Sequence, residues 1–189
     1  MNYNNNTNNN TNTNNLIEKN ELSWSYWLKS ALTFRYISNL STIVTFIAYY
    51  TNAYEILFIF GPLIICNCII IFYMMFNNLD ELMNGLMGKV LPDINDRIKY
   101  KSTFVFFMII WHIVPVFWLL YVLQKDTLIK TFRPNFMGTF LKSALLPIIY
   151  YYYENNIKIY GDFNYLMYLV CYIVLLLSVC IILYGTNEY

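Results

Sequence analysis

Charge is scarce in this sequence. Lys and Arg number 12 and Asp and Glu 11 among 189 residues, 12% in all, where a soluble domain carries about 25%. The formal net charge is +1, and no basic stripe of the kind that binds nucleic acid is present, so no nucleic-acid partner is expected. Histidine occurs once, at His112. The four cysteines, Cys66, Cys68, Cys171 and Cys180, sit in apolar segments and have no CxxC spacing. A Cys-x-Cys pair and one histidine do not make a tetrahedral zinc site, so neither a metal nor another cofactor is expected. Gly-rich phosphate loops, paired carboxylates inside apolar runs and pore signatures are also lacking. Those absences argue against an NTPase, a glycosidase and a potassium channel.

What the chain has instead is apolar surface. It is 58% hydrophobic and 20% aromatic, with a mean hydropathy of +0.43. Uncharged apolar runs close to 20 residues long are the length a bilayer requires. The fold class expected is therefore an all-α integral membrane helical bundle. Residues 1–15, MNYNNNTNNNTNTNN, hold ten Asn and three Thr, have almost no side chain to bury, and read as a disordered tail. Residues 16–33 mix charge with Trp24, Tyr26 and Trp27, a composition suited to the membrane interface. Residues 34–189 form the transmembrane domain.

Five spans are expected there, at about 34–52, 56–76, 102–123, 136–153 and 164–184 by length and apolarity. The first is rich in hydroxyls and amides: Ser38, Asn39, Ser41, Thr42 and Thr45. Such groups pack across helices or bond to helix carbonyls. The second carries Pro62, which deprives a carbonyl one turn back of its donor, so a partner for it is expected inside the bundle. Between the second and third spans, Leu79, Leu82, Met83, Leu86, Met87 and Val90 recur at helical spacing opposite Asp80, Glu81 and Asn84. That pattern predicts an interfacial amphipathic helix with Leu82, Met83 and Leu86 turned toward lipid. Lys142 lies about two turns inside the fourth span, within snorkelling reach of the interface.

Cation placement gives an orientation. An N-terminus in the cytoplasm puts Lys19, Lys29, Arg35, Lys89, Arg97, Lys99, Lys101 and Lys158 on that side, against Lys125, Lys130 and Arg133 on the other. The expected location is a multi-pass protein of the endoplasmic reticulum or another intracellular membrane. A re-entrant fourth segment would move the C-terminus to the cytoplasmic side. The partners expected are membrane lipids, with a homo-oligomer left open.

His112 stands in the middle of an apolar run, IIWHIVPVFW. Ionisable groups at such depth face the bundle interior, either at a functional site or in a structural hydrogen bond, for example to the carbonyl freed by Pro115. One base and a hydroxyl-rich helix are the minimum for nucleophilic catalysis. The segment FRYISNLSTIVTFIAYY resembles the corresponding part of the androgen-induced and androgen-dependent transmembrane proteins, where an aromatic-basic-aromatic run precedes a short apolar-hydroxyl pair. Pro62 with Asn78, Leu79 and Asp80, the spacing of His112 to Pro115, and the aromatic-rich turn YYYENNIKIYGDF are similar to later parts of that family. The resemblance implies hydrolysis of fatty-acid esters within the membrane, without a metal, with Ser38 as nucleophile and His112 as general base. The chain departs from the family in having Ser for Thr, a shorter His-to-Pro spacing, and no counterpart of the first span. Residues alone leave a second function open: a non-enzymatic multi-span protein that organises an intracellular or viral membrane.

Overall fold

A computed structural model of the chain describes residues 37–87, 94–132, 134–155 and 165–184, which all belong to one unit, 34–189. The tail at 1–15, the interfacial segment at 16–33 and Val90 lie outside the described residues. Among those described the structure is helical and contains no strand: α1 Ile37–Tyr50, α2 Tyr54–Asn77, α3 Leu79–Met87, α4 Ile94–Lys125, α5 Thr127–Thr131, α6 Phe136–Asn155 and α7 Tyr165–Tyr184.

Length and apolarity select three of these as able to cross a bilayer: Tyr54–Asn77, the Arg97–Lys125 part of α4, and Leu166–Tyr184. Helix α1 is apolar but shorter, with 14 residues, about 21 Å at 1.5 Å per residue. Helix α6 has 20 residues, with Lys142 and Pro147 inside it. The distribution of side chains is that of a membrane-embedded protein. On α7, Leu166, Met167, Val170, Val174, Ile181 and Ile182 are exposed, while Asn39, Ser41, Thr42, Thr45, Asn67 and His112 are buried. In water that arrangement would leave a large apolar surface wet while burying polar groups; in hydrocarbon it is the favourable one.

Helix α2 is the hub of the bundle, in contact with α1, α3, α4, α6 and α7. The turn from α1 into α2 is built by Asn52, whose φ of 57° lies in the left-handed region. Ala53 N–H donates to the Ala48 carbonyl at 2.8 Å and Asn52 N–H to that of Tyr49 at 3.1 Å. This paired closure ends a helix on a residue that tolerates positive φ, and Asn does so better than most. It folds α2 back antiparallel to α1. The five-residue α5 is capped by Asp126, whose carboxylate accepts from Leu128 N–H at 2.9 Å and Ile129 N–H at 3.3 Å. Asn135 holds the start of α6 by accepting from Gly138 N–H at 2.8 Å.

The long polar loop expected at 77–101 is more ordered than its composition suggested, and it holds a helical hairpin. Helix α4 begins at Ile94, well before its apolar part, and α3 packs against both α2 and α4. Asp80 pairs with Lys101 at 3.0 Å, and Arg97 hydrogen-bonds Asn84. The lipid-facing orientation expected of α3 is not met at Leu82 and Met83. Both are buried, together with Met87, under protein. The spacing correctly marked an apolar face, but periodicity cannot distinguish a face covered by neighbouring helices from one covered by lipid.

Candidate functional site

Asn67 sits in the middle of α2 and is buried. Its Nδ2 donates to the Ser41 hydroxyl at 3.1 Å, and its Oδ1 accepts from the Tyr172 hydroxyl at 2.8 Å. Ser41 passes its own proton on to the Ser38 carbonyl at 3.0 Å, and the Thr45 hydroxyl donates to the Ser41 carbonyl at 2.6 Å. The amide of Asn67 accepts through Oδ1 from Tyr172 and donates through Nδ2 to Ser41, which fixes it in one orientation. Helices α1, α2 and α7 are thereby tied together by side chains at the depth where an unpaired polar group costs most.

A second set of bonds surrounds Pro62. Pro62 has no N–H to offer the Phe58 carbonyl, and the Tyr184 hydroxyl at the end of α7 donates to that carbonyl at 3.2 Å. This is the partner the sequence required. Nearby, the Ser143 hydroxyl of α6 lies 2.7 Å from the Ile59 carbonyl and 2.8 Å from that of Thr139. Lys142 pairs with Glu55 at the start of α2, so α2 and α6 begin at the same end of the bundle. Removing the hydroxyl in Tyr184→Phe should destabilise the protein by about 1 kcal/mol, the net worth of a single hydrogen bond. In a Pro62→Ala background the loss should shrink toward zero, because the new N–H can satisfy Phe58. Unfolding of the four variants in detergent measures the coupling, and an undiminished loss would mean that Tyr184 acts by packing alone.

His112 is buried, at 4% exposure, on the face of α4 that also carries Phe104, Pro115, Leu119 and Val122. These follow one another at intervals of three, four and eight residues, the trace of one helix face. The histidine therefore faces the bundle, as expected. Its depth follows from the seam between α1 and α4. Trp111 Nε1 donates to Asn39 Oδ1 at 3.0 Å, and Phe46 stacks on Trp118 at 4.0 Å. Both pairs are separated by 72 positions, so the two helices run parallel and in step, with His112 level with Leu40. Ser38, Ser41 and Thr42 then lie within about 3 Å of the histidine along the bundle axis.

Level is not contact. Among the described residues His112 makes no hydrogen bond, to a hydroxyl or to the carbonyl freed by Pro115, and the Ser38 hydroxyl makes none either. The Ser41 hydroxyl is tied to α2 through Asn67, and the Thr45 hydroxyl is spent on the Ser41 carbonyl within α1. The structure thus brings the two sequence-chosen residues to one layer without joining them. What sequence reasoning missed was Asn67 as the centre and Tyr172 as its donor. Asn67 was visible as an amide in an otherwise apolar span, but nothing local distinguished Tyr172 from the other tyrosines. No group of three or more metal-binding side chains occurs among the described residues. Comparison of the chain with models of known protein families, with curated proteins and with solved structures found no match.

Proposed function

We propose that this chain is a five-span protein of an intracellular membrane, with its N-terminus in the cytoplasm, that organises the membrane as a non-enzymatic helical scaffold. One observation carries this reading. Two side chains of the polar face of α1 are spent on holding helices together, Ser41 through Asn67 of α2 and Asn39 through Trp111 of α4, and neither of them meets His112. Five spans are supported by the helix directions. Helices α1 and α4 run parallel, α2 and α6 start at one end, and α7 runs against α2 because Tyr184 meets Phe58 where Tyr172 meets Asn67. The third and fifth spans are then crossed from one side, and the fourth from the other. Arg97, Lys99 and Lys101 at the α3–α4 end support a cytoplasmic position for that hairpin.

A specific observation favours the second reading, a lipid-ester hydrolase with Ser38 as nucleophile and His112 as base, as the androgen-induced family resemblance implies. His112 and Thr42 are buried without a side-chain hydrogen bond among the described residues, in the layer that contains Ser38. Unsatisfied buried groups cost roughly 1–3 kcal/mol each, a cost that catalytic sites bear more often than scaffolds. A fluorophosphonate probe separates the two, because it traps activated hydroxyls and ignores ordinary ones. The scaffold predicts no labelling of folded wild-type protein. Labelling that disappears in Ser38→Ala and falls sharply in His112→Ala would replace the scaffold with the hydrolase.

A further inference from the structure

The α3–α4 hairpin encloses a cleft of about 680 Å³, lined by Asp80, Glu81 and Asn84 from one helix and Ile94, Arg97 and Lys101 from the other. Its charged lining consists of two carboxylates and two cations, so its formal charge is zero. Asp80 and Lys101 neutralise each other at 3.0 Å. Arg97 spends one N–H on Asn84 and keeps the rest of its guanidinium fork, while Glu81 has no hydrogen bond or ion pair among the described residues. The cleft thus presents one cationic fork and one free carboxylate to a single ligand. A fork of this kind suits a phosphate, which it can meet through two parallel bonds, and a carboxylate suits an ammonium group. Ile94 and Ile98 are both exposed beside these charges. Aromatic residues, which cage quaternary ammonium groups, are absent from the lining among the described residues. The ammonium best matched is therefore a primary one, able to donate N–H bonds to Glu81.

Position narrows the ligand further. Helix α2 ends at Asn77, and the apolar part of α4 begins just past Lys101. The cleft thus lies where both helices leave the hydrocarbon, at headgroup depth. We propose that the cleft binds a phosphoethanolamine group, with Arg97 on the phosphate and Glu81 on the ammonium, supplied by a phosphatidylethanolamine molecule of the bilayer. This inference rests on the multi-span reading above.

The test uses the full purified chain in mixed micelles with equal amounts of phosphatidylethanolamine and phosphatidylglycerol, with bound lipid read by native mass spectrometry. The zwitterionic lipid should be retained about tenfold over the anionic one, the worth of one charge-assisted contact. Glu81→Gln should abolish that preference, because it removes both the ammonium's acceptor and the charge that repels an anionic headgroup. Arg97→Gln should weaken retention of both lipids. Both residues line an open cleft at the end of the bundle, and unchanged helicity by circular dichroism checks that the variants fold. Equal retention of the two lipids, preference for the anionic one, or selectivity unaltered by Glu81→Gln would each overturn the proposal. Glycerophosphoethanolamine, which lacks acyl chains, identifies the source. If it displaces the lipid at equal concentration, the recognition chemistry stands and the ligand is a soluble phosphoethanolamine; if it does not, the bilayer supplies the ligand. Carbonate extraction of membranes checks the underlying reading separately. A chain that is washed off has lost the multi-span fold, whereas one that resists extraction yet shows no headgroup preference has lost only the cleft.

Discussion

Asn67→Leu is expected to destabilise the protein by about 2 kcal/mol, although leucine has the same branched side-chain skeleton as asparagine and is the more apolar residue. Interhelical hydrogen bonds in membranes average about 0.6 kcal/mol and reach about 1.7, and this substitution removes two of them at once. It also removes the acceptor of the Tyr172 hydroxyl. Tyr172 is 1% exposed, and its hydroxyl donates to Asn67 Oδ1; loss of a buried group's acceptor costs roughly 1–3 kcal/mol on scales from soluble proteins. Ser41 suffers less, because its proton still reaches the Ser38 carbonyl. The signature is therefore asymmetric. Tyr172→Phe should destabilise wild type by leaving Asn67 Oδ1 without its donor, yet restore part of the lost stability in the Asn67→Leu background, where it deletes a buried hydroxyl that has lost its Asn67 acceptor. Reversible unfolding of the four proteins in detergent reads this as a sign change. If Tyr172→Phe destabilises both backgrounds equally, the network described for α1, α2 and α7 does not hold the bundle.

Such a network shows where sequence reading reaches its limit in this protein. The all-helical class and membrane embedding were legible because both follow from local quantities: run length, apolarity and the scarcity of charge. Pro62 was legible as well, since a missing N–H obliges some other donor to appear. Which donor appears is a long-range matter, and Tyr184 lies 122 positions away in the chain. The first span was read as hydroxyl-rich, which it is, but its hydroxyls could serve catalysis or packing equally well. Only Asn67, brought over from α2, distinguishes the two for Ser41. Helix α3 shows the same limit from another side. Its apolar stripe is real, while the partner covering Leu82 and Met83 is set by how α2 and α4 converge, which no window of α3 contains.

The close approach of α2 and α4 gives the other large effect. Gly61 is buried, and a Cβ built on it would lie 3.3 Å from Leu119 Cδ2, 3.4 Å from Leu119 Cδ1 and 3.7 Å from the Tyr184 hydroxyl oxygen. One added carbon is therefore tight but tolerable, because the atoms it meets belong to a leucine side chain that can shift by a few tenths of an ångström. Gly61→Ala should be close to neutral, the better helix propensity of alanine offsetting part of the crowding. Gly61→Leu adds three more carbons in a direction already filled. It must push Leu119 off its rotamer or move α4 away from α2, and either response disturbs the Tyr184 hydroxyl that satisfies Phe58. Overpacking of this kind costs about 1–3 kcal/mol, and the broken bond places this case in the upper part of that range. Leu119→Ala supplies the internal control. Alone it opens a cavity at a fully buried site and should cost about 2–5 kcal/mol. Combined with Gly61→Leu, it makes room for the new side chain, so the double variant should be more stable than the sum of the two losses by at least about 1 kcal/mol. Additive losses in unfolding measurements would show that Gly61 and Leu119 do not share one contact, and the α2–α4 packing described above would then be wrong at its centre.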